Sequence, residues 1–291
     1  MLVLTKSILS VMIGFIAAVV IGLILIPILK RINFGQRISE YVGESHRKKE
    51  GTPTMGGIIF IIPTILAILF FVLDGRIQMT YNLLIIMVVF VLYAFIGFLD
   101  DFLSLKKGKN EGLTVIQKFT AQIIVAIIFF AIYMKYNGNT YFTVSTLGIN
   151  IDLGWCYGAL ILFLLVGFSN AVNLTDGIDG LSTSVTTIIL TCLTIISVIF
   201  GVKEVTVFGS ILIGTCLGFL LFNLYPAKVM MGDTGSLALG GLVAAFAVLM
   251  KMPLFLPVVG LIYLIEVLSV IIQVGYYKIT NGKRFFKMDV I

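Results

Sequence analysis

The chain has 291 residues, of which 59% are hydrophobic and 12% charged, with a formal net charge of +6. Soluble domains carry about 25% charged residues, so this composition excludes an ordinary soluble domain. It predicts an all-α, polytopic integral membrane protein with a single domain, residues 1–291. The single histidine, His46, excludes a site that needs two histidines, and the three cysteines lack zinc-ligand spacing.

Apolar runs long enough to cross a bilayer follow one another along the chain. A spanning helix needs about 20 mostly apolar residues, and this criterion predicts about nine transmembrane helices. Their bounds are 7–29, 56–73, 81–99, 118–135, 157–172, 184–201, 205–223, 235–250 and 254–277. An odd number of spans places the two termini on opposite sides of the membrane.

The lysines and arginines predict the orientation, because they favour cytoplasmic loops. With the N-terminus outside, 15 of the 20 fall in cytoplasmic loops and five fall outside. This placement also explains the net charge without a nucleic-acid partner, since the neighbours of these loops are membrane lipids. Four polar segments then share the cytoplasmic face: "KKEGTPTMGG" (48–57), "GFLDDF" (97–102), "NLTDGIDGLS" (173–182) and "NLYPAKVMMGDTGS" (223–236).

The first polar segment places Thr52 and Thr54 beside glycines that allow close backbone approach, next to Lys48 and Lys49. It lacks the Gly-Lys-Ser/Thr ending of a Walker loop. The lysines also fit simple positive-inside placement. The segment alone therefore leaves both a phosphate site and an ordinary loop open.

The second segment places Asp100 and Asp101 at the end of the third apolar run, before a basic loop. Carboxylates at a helix C-terminus oppose the helix dipole, although Lys106 and Lys107 offer compensation. One interpretation is a solvated helix end. The other is a pair of acids for magnesium or for a phosphate proton.

The third segment, together with the three residues before it, carries polar side chains at every third position: Asn170, Asn173, Asp176 and Asp179. This spacing keeps consecutive members near one face of a helix. Gly177 and Gly180 predict that the helix breaks there, which membrane proteins tolerate where the backbone lines a polar cavity. A plain turn is the alternative.

The fourth segment places Asp233 among small residues just before an apolar helix. An acid in such a loop fits a site where metal and phosphate meet, and it equally fits an ordinary helix N-cap. The four segments together favour the ligand interpretation, because carboxylates and waters hold magnesium when a substrate supplies phosphate oxygens. They predict phosphoryl transfer of a nucleotide or lipid phosphate at the inner membrane surface.

Five quoted motifs carry a resemblance to a known family: "KKEGTPTMGG", "GFLDDF", "NAVNLTDGIDGLS", "MGDTGSLALGG" and "GKRFFKM". With these motifs the chain resembles the polyprenyl-phosphate N-acetylhexosamine-1-phosphate transferases, and in particular their muramoyl-pentapeptide branch. The resemblance implies a bacterial plasma-membrane enzyme that needs Mg²⁺. Its substrates would be undecaprenyl phosphate and UDP-N-acetylmuramoyl-pentapeptide, and its products lipid I and UMP.

The resemblance also implies roles for individual residues. Asp233 would bind magnesium, joined by Asn173, and Asp100 would be the base for the lipid phosphate, with Asp101 supporting metal or phosphate. The implied substrate-binding residues are Lys49, Thr52, Thr54, Asn170, Asn173, Asp176, Asp179, Asn223 and Met230.

Three features depart from the family pattern. Met230 replaces an aromatic residue, Ser104 replaces a lysine, and "DVI" follows "GKRFFKM" where the family continues with a histidine-rich loop and a tenth helix. The alternatives are a transferase for another UDP-sugar such as UDP-N-acetylglucosamine, and a catalytically impaired or scaffold member. A transporter would place ionisable groups near the membrane midplane, where the sequence has only Glu266. The sequence leaves monomer and homodimer open.

Overall fold

A computed structural model describes residues 2–32, 52–107, 112–144, 149–280, 282–283 and 285–286. The long helices within these residues are α1 (Leu2–Arg31), α2 (Ile58–Leu73), α3 (Tyr81–Lys107), α4 (Val115–Tyr136), α5 (Cys156–Thr175), α6 (Leu181–Phe200), α7 (Lys203–Asn223), α8 (Gly232–Leu249) and α9 (Leu261–Ile279). Two short strands, β1 (Tyr141–Val144) and β2 (Ile149–Asp152), connect α4 to α5. A 3-10 turn (Pro253–Phe255) and one helical turn (Leu256–Val259) precede α9.

Eight of the described helices are long and apolar enough to cross a membrane, and α2 is a shorter apolar helix of 16 residues. The predicted all-α, multi-pass membrane protein with about nine spans is therefore confirmed. The predicted bounds of most spans lie within a few residues of the observed helices, because continuous hydropathy is a local property of the chain.

The centre of the molecule is formed by α7 and α8. Their most apolar 18-residue windows are 78% and 83% buried, against 11% for α9 and 22% for α1. On α8 pack α3 and α5, and on α7 pack α1 and α6. Small residues make this close packing possible. In lipid the hydrophobic effect does not drive helices together, so association depends on close contact between their backbones. A Cβ on Gly214 of α7 would lie 2.0 Å from the Val11 carbonyl oxygen of α1.

Three predicted boundaries were wrong. The last predicted span, 254–277, is interrupted at Gly260, so that the long helix α9 begins only at Leu261. The other two boundaries concern acidic residues. Asp100 and Asp101 do not end a helix, since α3 continues for a further turn and a half to Lys107. Lys106 and Lys107 lie in that last turn, where positive side chains stabilise the C-terminal end of the helix dipole. Asp233 does not precede a helix, because it lies in the first turn of α8.

The connection between α4 and α5 contains a small antiparallel sheet that the sequence analysis did not predict. Strand β1 pairs with β2 so that Tyr141 lies opposite Asp152. The Asp152 carboxylate accepts hydrogen bonds from the Thr140 hydroxyl and from the Gly154 N–H. These bonds lower the pKa of Asp152 below its ordinary value, because they stabilise the charged form.

Candidate active site

The polar segments predicted to share one face meet around the first turn of α8. The segment 52–57 supports the chain that leads into this helix. Gly56 and Gly57 donate their N–H groups to the carbonyls of Met230 and Met231, at 2.8 and 2.9 Å. In return Met230 donates its N–H to the Pro53 carbonyl at 2.8 Å. The segment 52–57 thus fixes the entry to α8.

Asp233 lies at the centre of a polar cluster in this first turn. One carboxylate oxygen forms an ion pair with the Lys118 ammonium of α4. The other accepts a hydrogen bond of 2.7 Å from the Asn173 amide of α5, which also donates to the Ser236 hydroxyl at 2.9 Å. The side chains of Asp233 and Lys118 are 23% and 18% exposed, so both remain partly accessible to solvent and to a ligand.

Asp100 faces the same cluster from α3. Its carboxylate accepts a hydrogen bond of 3.0 Å from the Leu113 N–H, and it interacts with the side chains of Asp233 and Lys118. Two carboxylates and one ammonium group therefore lie together at a half-buried position. Their net negative charge favours the binding of a further cation, and the Lys118 ammonium favours the binding of an anionic group nearby.

Asp101, the next residue, points into the protein instead. It is 8% exposed and accepts hydrogen bonds from the backbone N–H groups of Asp233 and Thr234 and from the Thr234 hydroxyl. Both carboxylate oxygens are engaged. Thr54 is buried beside it, because a Cβ on Gly232 would meet both the Asp101 carboxylate and the Thr54 hydroxyl.

The motif 170–180 divides between two locations. Asn173 contacts Asp233, and Asn170 lies one turn earlier in α5, where its amide donates to Gln122 at 2.6 Å and to the Val166 carbonyl at 2.8 Å. The predicted break of the helix is present, since α5 ends at Thr175 and α6 begins at Leu181. Gly180 has φ +73°, a conformation that glycine adopts without strain.

The other acidic residues of this motif lie beside neighbouring segments. Asp179 accepts a hydrogen bond of 3.0 Å from the Ala227 N–H in the connection between α7 and α8. Asp176 is half-buried and interacts electrostatically with Tyr263 of α9. Among the contacts just described, Asn173 is the member of the motif that reaches Asp233.

Asn223 and Met230 are buried supports of the connection between α7 and α8. The Asn223 side chain accepts a hydrogen bond from the Thr183 hydroxyl at 2.8 Å and donates to the Val229 carbonyl at 3.1 Å. Met230 is 5% exposed. Thr52 is half-buried, and Lys49 lies outside the described residues.

Lys118 and Gln122 belong to this site, although neither was predicted from the sequence to have a role. They are one turn apart on α4: Lys118 pairs with Asp233, and the fully buried Gln122 accepts the hydrogen bond from Asn170. A signal was present in the sequence, since a lysine and a glutamine at i and i+4 interrupt an otherwise apolar span. Ser236, one turn after Gly232, was also missed.

The donor set can be compared with what metal ions require. Among the residues that the structure describes, no group of three or more His, Cys, Asp or Glu side chains could hold a metal ion by itself. Magnesium does not need such a cage, because it binds through one or two carboxylates and completes its shell with water and substrate phosphate. Asp233 and Asp100 fit that pattern, whereas they do not fit a zinc site.

Comparison with known proteins identifies close relatives. Residues 83–251 match the model of glycosyl transferase family 4, and residues 49–61 match phospho-N-acetylmuramoyl-pentapeptide-transferase signature 1. Proteins named phospho-N-acetylmuramoyl-pentapeptide-transferase from Geobacillus kaustophilus (strain HTA426) and Bacillus subtilis (strain 168) are 45% and 43% identical, over 97% and 96% of this chain and 86% of each relative. The protein of the same name from Clostridium perfringens (strain 13 / Type A) is 47% identical over 98% of this chain and 88% of the relative.

Proposed function

The chain belongs to glycosyl transferase family 4, among the phospho-N-acetylmuramoyl-pentapeptide-transferases, and we propose that it makes lipid I for peptidoglycan synthesis at the polar cluster around Asp233. The observation that carries the assignment of the site is the convergence of Asp233, Asp100, Lys118 and Asn173 from four helices. The transferase activity follows from the family. The acceptor, the metal and the residue roles are parts of the proposal.

The reaction is a phosphoryl transfer between two anions. An oxygen of undecaprenyl phosphate attacks the β-phosphorus of UDP-N-acetylmuramoyl-pentapeptide. The bond between the β-phosphorus and the bridging oxygen breaks, and UMP leaves with that oxygen. Such transfers depend on positioning and on electrostatic stabilisation more than on covalent chemistry by the protein.

Lys118 and Asp100 supply the charges for this reaction. The Lys118 ammonium offers a positive charge to the pyrophosphate, at a half-buried position where screening by water is reduced. Asp100 would accept the proton of a singly ionised acceptor phosphate. A strong base is unnecessary, because the second pKa of a phosphate monoester is near 6 and the acceptor is largely ionised at neutral pH.

Asp233 would hold Mg²⁺, with Asp100 beside it and the substrate phosphates completing the shell. Asn173 donates its amide N–H groups to Asp233 and Ser236, which orients the Asp233 carboxylate, and its amide oxygen would be a further ligand atom. The bound metal would neutralise charge on the pyrophosphate and on the departing UMP. The same carboxylate pairs with Lys118, so metal and lysine would share it.

The proposal is tested by measuring UMP release from purified protein with undecaprenyl phosphate, with and without Mg²⁺, on two donors in parallel. Turnover on UDP-N-acetylmuramoyl-pentapeptide that requires Mg²⁺ is the expected result. Turnover on UDP-N-acetylglucosamine alone would contradict the proposed donor. Equal turnover in EDTA and in Mg²⁺ would contradict the proposed metal requirement.

The site assignment is tested by Asp233→Asn. We expect turnover to fall by about 100-fold or more, the scale of losing one electrostatic contact to the transition state. Asp152→Asn is the matched control, because the same change is made at an exposed carboxylate in the β1–β2 sheet. A folded Asp233→Asn protein with the activity of the wild type would exclude Asp233 from the site.

A further inference from the structure

The first turn of α8 has no cap from its own sequence. The first N–H groups of a helix have no partner inside the helix, and a side chain at the preceding position usually accepts from them. Here that position is taken by Met231, which is apolar and makes no capping bond, followed by Gly232 at φ +73°. Since α8 is among the most buried helices, water does not readily replace the missing cap.

Asp101 of α3 supplies this cap from a neighbouring helix. Its Oδ1 accepts from the Asp233 N–H at 3.1 Å, and its Oδ2 accepts from the Thr234 N–H at 2.9 Å and the Thr234 hydroxyl at 2.6 Å. The negative charge also lies at the positive end of the α8 dipole. Three donors therefore converge on one buried carboxylate.

Two glycines make this contact sterically possible. A Cβ on Gly232 would lie 2.6 Å from the Asp101 Oδ2. A Cβ on Gly97, one turn before Asp101 on α3, would lie 2.0 Å from the Asp233 carbonyl oxygen. The backbone of α3 therefore lies in direct contact with the first turn of α8, whose N–H groups donate hydrogen bonds to Asp101.

We propose that Asp101 is a positioning residue, which caps α8 from α3 and so fixes the direction of the Asp233 carboxylate toward Lys118 and Asn173. It contacts neither metal nor substrate, because its hydrogen bonds all go to α8. This inference rests on the proposed function, in which Asp233 lies at the reacting centre. It assigns different roles to two neighbouring acids, since Asp100 faces the Asp233 cluster and Asp101 faces the backbone of α8.

Asp101→Asn tests the proposal, because the amide keeps one acceptor oxygen and turns an N–H donor toward the N–H groups of α8. Hydrogen exchange of the segment 229–237 should become about fivefold faster, the factor that corresponds to a lost cap. Exchange in α7 should not change. The kcat should fall about 10- to 100-fold, as for partners that orient a ligand residue, with a higher Mg²⁺ concentration needed for half-maximal rate.

Asp100→Asn is the matched control, since it makes the same change one residue earlier on a carboxylate that accepts from Leu113 instead. It should lower kcat and leave the exchange of 229–237 unchanged. If Asp101→Asn gave this same pattern, Asp101 would act directly on substrate or metal, and the proposal would fail. Faster exchange with an unchanged kcat would also overturn it.

Thr234→Val provides a second, milder variant in case Asp101→Asn does not fold. It removes the hydroxyl donor and keeps both backbone bonds to Asp101. A smaller change in the same direction is expected in both exchange and kcat, and no change in either would contradict the proposal. If the wild type shows no turnover on either donor, the proposed function fails, whereas the exchange comparison still decides whether Asp101 caps α8.

Discussion

Lys118 brings positive charge to a cluster that otherwise contains carboxylates. It does so from the first turns of α4, after a capping box in which Thr114 and Gln117 exchange hydrogen bonds. A lysine near a helix N-terminus opposes the helix dipole. Its partner Asp233, 115 residues away in sequence, offsets that cost.

Lys118→Met should lower turnover by about 100-fold or more, because the anionic donor and two carboxylates would then meet without a fixed positive charge. The measurement is the steady-state rate of UMP release at saturating substrates. Lys203→Met is the control, since Lys203 is exposed at the first residue of α7, and its turnover should equal that of the wild type. A Lys118→Met protein with unchanged kcat and KM would remove Lys118 from the mechanism.

At the scale of elements, the crossing of α3 and α8 decides the geometry of the site. Gly97 lets the two backbones touch at Asp233, and Gly57 and Gly235 do the same for the segment before α2 and the first turn of α8. The sequence signals these glycines only as small residues. Which residues these glycines contact is set by the tertiary packing of the helices, which the amino-acid sequence does not show.

Gly97→Ala should destabilise the protein and misplace Asp233 together, because the added Cβ has rigid backbone as its neighbour. Overpacking of this kind costs about 1–3 kcal/mol, and thermal unfolding in detergent should show a lower midpoint together with reduced turnover. The control is Gly167→Ala on α5, where a Cβ meets nothing within 4 Å. Equal stability and equal activity of the two variants would contradict the close crossing.

At the scale of the whole molecule, the orientation in the membrane is a prediction from charge. The Asp233 cluster lies at the end of α3 that carries Lys106, and the β1–β2 sheet follows the opposite end of α4. The distribution of 15 basic residues against five predicts that the cluster faces the cytoplasm.

Cysteine labelling in intact cells tests this orientation. The exposed Cys156 and Cys192 are first replaced by serine, whereas the buried Cys216 is kept. A membrane-impermeant maleimide should then label Lys135→Cys in intact cells and Lys106→Cys only after permeabilisation. The reverse pattern would place the cluster outside and contradict the proposed access to a nucleotide donor.

The sequence by itself determined the membrane class, the approximate spans and the four polar segments that belong together. The class and the spans follow from local hydropathy, and the grouping of the segments follows because successive crossings place alternate loops on the same side of the membrane. The tertiary structure alone decided what each side chain touches. Asp100 and Asp101 are the same residue type in the sequence, but the side chains of successive residues in a helix point about 100° apart. One carboxylate therefore meets Lys118 and Asp233, and the other meets the N–H groups of α8.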